Sequence, residues 1–286
     1  MIHVAEAGES RGRVVVHLCS SAANPVAIDA AVWLARAFQS EIESLYVENQ
    51  QILELAKFPF AREISVTGKV RRSISSDDIE REFRFASATF HSQVEARARA
   101  ADVPVHSRVV RDEPIRALGT VCAACGPWSA VALADPFTSP SCPPLGDLLD
   151  YVHDATGLLV VGPRASRTGG RVVIALEDAA LLPAMLGAAE RLAAVNDTEA
   201  VVCLVASDEM ELMALDNATR LVLVDRPHIA ISSAVLTYGA EAAAAEALRQ
   251  LRPGLIVARF GGLLMRWEGN LAPLAASLEC PLLLLR

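Results

Sequence analysis

The stretch GRVVVHLCSSAANPVAIDAAVWLA, residues 12–35, returns in altered form as GRVVIALEDAALLPAMLGAAERLA, residues 170–193. Laid on each other without a gap, the two share 11 of 24 residues, where random pairing at ordinary composition gives roughly two. The chain therefore encodes the same local structure twice. In each copy a short β-branched run, Arg13 to Leu18 or Val172 to Leu176, reads as a buried strand. A proline, Pro25 or Pro183, then opens a helix, a position where its missing N–H costs nothing; Asn24 stands before the first of these as a good N-cap. Ile28, Ala31, Val32, Ala35 and Phe38 follow at helical spacing in one copy, and Leu182, Met185, Leu186, Ala189, Leu192 and Ala193 in the other.

Outward from the repeat, strands and helices alternate. Glu41–Val47, Val103–Val110, Ala130–Ala134 and Leu158–Val161 read as strands in the first half, with helices over Pro114–Cys125 and Leu145–Asp154. In the second half the strands are Ala200–Ala206, Leu255–Ala258 and Leu282–Leu285, with helices over Ala240–Gln250 and Leu271–Leu278. His228–Leu236 is the candidate for the remaining strand. Such alternation favours a parallel sheet covered by helices on both faces. Residues 49–101 have no clear counterpart in the second half. Phe58–Ser75 reads as a long irregular loop, either a surface excursion or a partner-binding loop. Ile79, Phe83, Ala86, Phe90 and Val94 then mark a helix capped by Ser76 or Asp77. The glycine- and arginine-rich stretch from Pro163 to Gly170 is a linker too short to hold two domains apart.

Of 286 residues, 52% are hydrophobic and 21% charged, enough apolar material for a packed core and unlike a disordered chain. Apolar runs such as Leu282–Leu285 fall far short of the roughly 20 residues that span a bilayer. Met1 to Arg13 carries charges and no apolar core of a signal peptide, so the expected setting is cytoplasmic. A net charge of −8 and no strong basic patch argue against nucleic acid or a membrane as partner. Cys122-x-x-Cys125 stands without a second such pair or an HxxxH, and reads as part of a small-residue helix rather than a metal or redox site. No metal ligand set is expected.

The chain resembles the universal stress protein family in its tandem two-domain form. The start of each half carries the resemblance, together with the ending from Gly269-Asn270 through Glu279-Cys280-Pro281 to Leu285, which is similar to the family's last helix and closing strand. The resemblance covers nearly all of the chain apart from residues 1–10 and roughly 50–75. It implies an α/β fold of two five-stranded parallel-sheet domains, adenine-nucleotide α-hydrolase-like and layered like flavodoxin, packed as an intramolecular pseudo-dimer through their last strands. The domains would span residues 11–163, with a long excursion over 50–100, and residues 170–286. An edge argument points the same way: all-apolar strands such as Leu282–Leu285 and Leu158–Val161 are hazards when left open, and pairing them protects both.

ATP-binding members of the family carry an Asp after the first strand and a G-x2-G-x9-G-(S/T) loop after the fourth. Its glycines let backbone N–H groups approach phosphate. In the first half Cys19 takes the Asp position, and the loop from Asp135 to Gly146 holds four prolines, which lack that N–H. This half is not expected to bind ATP. In the second half Glu177 and Asp178 stand at the Asp position, and Arg259, Gly261, Gly262, Gly269 and Asn270 form the altered loop. Gly269 comes three residues early, Asn270 replaces the Ser or Thr, and Met265, Trp267 and Glu268 crowd the space. Either this is an altered nucleotide site or the loop merely packs.

The remaining motifs point away from catalysis. The histidines form no HxxxH or HExxH, and His17, alternating with apolar residues, reads as a core histidine. No G-x-S-x-G elbow supports Ser20-Ser21 as a nucleophile. Trp33, Trp128 and Trp267 are too scattered for a base-stacking platform. The expected function is a non-enzymatic stress-response or signalling adaptor with degenerate ATP sites, no catalytic residue and no required cofactor. It would have a protein partner the sequence does not specify, and homodimerisation is left open. The alternative is a switch binding ATP or AMP in the C-terminal domain alone. A third option, adenylyl transfer or ATPase chemistry, has no HxGH-type motif behind it.

Overall fold

In the computed structural model, residues 12–18, 24–65, 67, 71–125, 130–134, 152, 155–235, 241–265 and 272–286 are described. Each apolar run of the sequence becomes a strand of one sheet. In chain order its strands are β1 (Arg13–Leu18), β2 (Glu41–Asn49), β5 (Val105–Asp112), β6 (Ala130–Ala134) and β7 (Gly157–Val161), then β8 (Arg171–Leu176), β9 (Ala200–Ala206), β10 (Ala230–Val235), β11 (Pro253–Arg259) and β12 (Leu282–Leu285). Two short strands, β3 (Arg62–Ile64) and β4 (Arg71–Ser73), form a separate antiparallel hairpin. The helices are α1 (Pro25–Ala37), α2 (Gln50–Ala56), α3 (Ser76–Ala100), α4 (Pro114–Ala124), α5 (Leu182–Val195), α6 (Glu209–Val222), α7 (Glu241–Gln250) and α8 (Ala272–Ser277).

The strands lie side by side as β5-β2-β1-β6-β7-β12-β11-β8-β9-β10. Within either half the order is the same: third, second, first, fourth, fifth. Every neighbouring pair is parallel except the central one, where β7 and β12 run antiparallel with Leu282 opposite Val160 and Leu284 opposite Leu158. Both strands are almost wholly buried, so the leucine-rich edge that would template aggregation is covered by the chain itself.

Strands covered on both faces must be apolar throughout, and Val172–Leu176, Ala200–Ala206 and Leu282–Leu284 are buried without a break. One face packs under α1, α3, α5 and α6; the other packs under α4, α7 and α8. The repeated prolines act as the sequence predicts. Pro25 starts α1 after Asn24, whose side chain accepts the Val26 N–H at 3.0 Å, and Pro183 stands in the first turn of α5. Between these repeated helices the indole N–H of Trp33 donates to the Leu192 carbonyl at 2.8 Å.

The stretch after β2 differs from its sequence reading in two ways. First, α3 connects β2 to β5 as α6 connects β9 to β10, so it does have a counterpart in the second half. Its length, 25 residues against 14, hides the match. Its N-cap is Ser75, one residue before the expected Ser76 and two before Asp77. The Ser75 hydroxyl accepts the Asp78 N–H at 3.2 Å and donates to the Asp78 carboxylate at 2.7 Å. Second, Phe58–Ser75 is not irregular throughout: it contains α2's exit and the β3–β4 hairpin. Of the helix expected over Leu145–Asp154, only Val152 lies among the described residues.

Candidate functional site

In open parallel sheets, ligands bind beyond the carboxyl ends of the strands, where backbone N–H groups of loops and helix starts converge. Beta strands β8 and β11 are parallel neighbours, with Ala175 beside Ala258, so the loops that leave them share one crevice. Glu177 and Asp178 leave β8; Phe260 to Gly262 leave β11 and pass into a short 3-10 turn, Leu263–Met265.

Glu177 reaches across this crevice. Its Oε1 accepts the Leu264 N–H at 3.2 Å, and its carboxylate fills the space where a side chain at Gly262 would begin. A Cβ at Gly262 would stand 2.2 Å from Glu177 Oε2 and 2.6 Å from Oε1, so only glycine leaves room for this acid. Gly261 takes φ +73°, a backbone state that suits glycine and turns the chain toward the cradle. The Phe260 N–H donates to the Leu285 carbonyl at 2.7 Å, and the Arg286 guanidinium lies 4.6 Å from the centre of the Phe260 ring. The loop base is thereby fixed to the last strand. A turn whose N–H and glycine surface receive an anionic oxygen is an anion cradle in kind, and here the anion is the chain's own carboxylate.

The other expected site residues separate. Asp178 is engaged as a cap: its Oδ1 accepts the Ala180 N–H at 2.9 Å at the start of the 3-10 turn Ala179–Leu181. Arg259 is exposed at the end of β11, in register with Leu285. Gly269 and Asn270 lie outside the described residues, as do Arg266, Trp267, Glu268, Cys19, Ser20, Ser21 and the first-half loop from Asp135 to Gly146. The structure thus joins Glu177, Gly261 and Gly262. The Leu264 N–H completes them and has no signal in the sequence, because a backbone donor is the same whatever side chain it carries.

Several titratable groups are buried elsewhere. His17 lies in β1 with Nδ1 3.4 Å from the Leu45 carbonyl, and burial pushes its pKa down to about 4, so it is a neutral core residue at neutral pH. Glu43, on β2, is almost fully buried between Arg13 at 3.1 Å and Arg108 at 2.9 Å. Period-two alternation with Leu45 and Val47 was the available hint that this acid faces inward. Cys122 and Cys125 are buried thiols of α4 and its cap; burial and then the Glu43 carboxylate hold the Cys125 thiol above its ordinary pKa, the reverse of an activated thiolate. Among the described residues no group of three His, Cys, Asp or Glu could hold a metal ion, and no helix is long and apolar enough to cross a membrane.

The fold is similar to that of solved universal stress proteins. A universal stress protein from Archaeoglobus fulgidus DSM 4304 superposes with a TM-score of 0.61 at 12% identity, over 96% of each chain. A protein of unknown function from Pseudomonas aeruginosa PAO1 superposes with a TM-score of 0.57 at 14% identity, over 96% of this chain and 92% of the other. A candidate universal stress protein from Pseudomonas aeruginosa UCBPP-PA14 gives 0.57 and 14%, over 96% and 93%. No family model and no curated protein matches the sequence. The likeness is therefore one of fold: a large, mostly parallel sheet between two helical layers.

Proposed function

We propose that the chain is a tandem universal-stress-like protein whose two halves are domains of one intramolecular pseudo-dimer. It acts in stress response or signalling as a non-enzymatic adaptor, with a nucleotide crevice closed to nucleotide in the second half. The shared strand order of the halves and their antiparallel junction support the tandem reading. The observation that carries the functional reading is the Glu177 carboxylate seated on Gly262 and the Leu264 N–H. A phosphate entering there would meet a like charge. Loss of the Leu264 bond adds to that.

Thermal unfolding of the full chain with ATP, AMP and cyclic nucleotides tests this. A ligand at a hundredfold excess over its Kd stabilises the native state by about 2.7 kcal/mol. The adaptor reading expects no shift at millimolar nucleotide, and no nucleotide in mass spectra of the purified protein. A saturable shift with ATP or AMP would replace it with the alternative, a nucleotide-responsive switch in the C-terminal half.

A further inference from the structure

Helix α6 carries two apolar faces, and the fold buries one of them. Leu215, Thr219 and Leu223, at its C-cap, are buried, and Leu212 packs against the same core. On the opposite side Met210, Met213, Leu221 and Val224 remain 79%, 68%, 76% and 69% exposed. Val224 lies in the turn just past the helix. Together these four leave roughly 500 Å² open, the size of the largest patch on a typical monomer and more than half of what one partner brings to a standard interface.

The architecture does not require this face to be apolar. In the first half α3 joins the second strand to the third, as α6 does in the second half. The exposed side of α3 carries Arg81, Glu82, Thr89, Ser92 and Gln93, with Phe85 the single large apolar residue exposed there. The same connection is therefore solvated in one half and apolar in the other.

The stripe on α6 also matches its own reverse. Met210, Met213, Asn217, Leu221 and Val224 are spaced three, four, four and three residues apart, with exposed Asn217 at the centre. A two-fold axis through Asn217 sets an antiparallel copy of the helix so that Met210 meets Val224, Met213 meets Leu221, and Asn217 meets itself. The helix dipoles then oppose each other, which favours the pairing. Charge agrees. Arg220 pairs with Asp216 of its own helix at 2.7 Å, and on the same flank it comes beside Asp216 of the second copy, about 3 Å along the axis. A polar residue at the middle of an apolar seam fixes its register, as Asn does in coiled coils.

We propose that α6 docks on α6 of a second copy of this chain, antiparallel about Asn217, and that the protein is thereby a homodimer. A partner of another kind would have no use for a stripe that reads alike from either end. Helix α6 packs on β9 and β10, the strands of the second half farthest from the β7–β12 junction, so the contact leaves that junction undisturbed. It does not depend on whether the crevice at Glu177 binds nucleotide.

Sedimentation equilibrium of the full chain tests this. The wild type should approach the mass of a dimer at tens of micromolar. Met213→Glu and Leu221→Lys each set a charge against an apolar residue of the other copy and should weaken association by roughly tenfold or more. The unfolding midpoint of the dilute protein should not change, because both residues are exposed. Combined in one chain, the two substitutions place opposite charges face to face and should bring the association back to within about tenfold of the wild type. Asn217→Cys should give a disulfide-linked dimer under mild oxidation by copper phenanthroline, and the wild type should not. The proposal is overturned by a monomer at hundreds of micromolar, which would leave the stripe to a different occupant. It is equally overturned by a dimer that the single variants leave intact, or by a double variant that associates no better than either single one.

Discussion

A methyl group added at Gly262 has one main obstacle, the Glu177 carboxylate 2.2 Å from the new Cβ. That obstacle is the far end of a flexible side chain, so Gly262→Ala is accommodated by swinging Glu177 out of the crevice. The displaced acid no longer accepts from the Leu264 N–H, which sits in a buried residue. A hydrogen bond to a charged group contributes about 1.5–3 kcal/mol net. At about 2 °C per kcal/mol for a chain of this size, the melting temperature should fall by roughly 3–6 °C. Glu177→Ala should cost a similar amount by itself. In that background the three nearest obstacles to the new Cβ are gone, and Gly262→Ala should cost no more than about 0.5 kcal/mol. Urea unfolding of the four proteins at fixed pH measures the coupling, expected at about 1–2.5 kcal/mol. Additive costs, with Gly262→Ala equally harmful whether or not Glu177 is present, would refute the claim that the acid fills the cradle.

Three further outcomes are expected. His17 is neutral when folded, with its pKa pushed down to about 4, and titrates near 6.5 when unfolded. The unfolded state therefore binds more protons between these values. Stability should be full above about pH 6.5 and fall as pH drops toward 4, by on the order of 3 kcal/mol; urea unfolding across that range should show a smaller pH slope in His17→Leu. Trp33→Phe removes the 2.8 Å bond to the Leu192 carbonyl and should lower stability by about 1 kcal/mol in the same assay. Gly162→Ala places a Cβ 2.1 Å from the Ala275 carbonyl oxygen, backbone that cannot swing away, and should cost about 1–3 kcal/mol by thermal unfolding. Gly169→Ala, whose Cβ meets nothing within 4 Å, is the matched control and should be close to neutral.

The fold was largely legible because its signals are local. Val14–Val16 and Val172–Ile174 can be little but buried strand, and Asn24-Pro25 declares a helix start from two adjacent residues. Strand ends were less clear: β2 runs on to Asn49 and β5 to Asp112, since polar residues at the carboxyl ends interrupt the apolar pattern but not the ladder. The hairpin escaped notice because strands of three residues carry no period to read. At the site, Glu177 and Gly262 were identifiable as an odd pair, an acid and a glycine at the ends of two strands. Their contact was not, because it depends on β8 and β11 being neighbours and on a side-chain rotamer. Glu43 shows the same limit: its inward face follows from alternation, but its two arginine partners come from β1 and β5.

A two-fold assembly of identical subunits must carry every change twice, once on each side of its axis. Here the strands that meet at the centre, β7 and β12, belong to a single polypeptide with different sequences on either side. Mutation can therefore alter one member of the pair and spare the other. The acid-filled loop in one half and the small hairpin after α2 in the other are the kind of difference that this freedom permits.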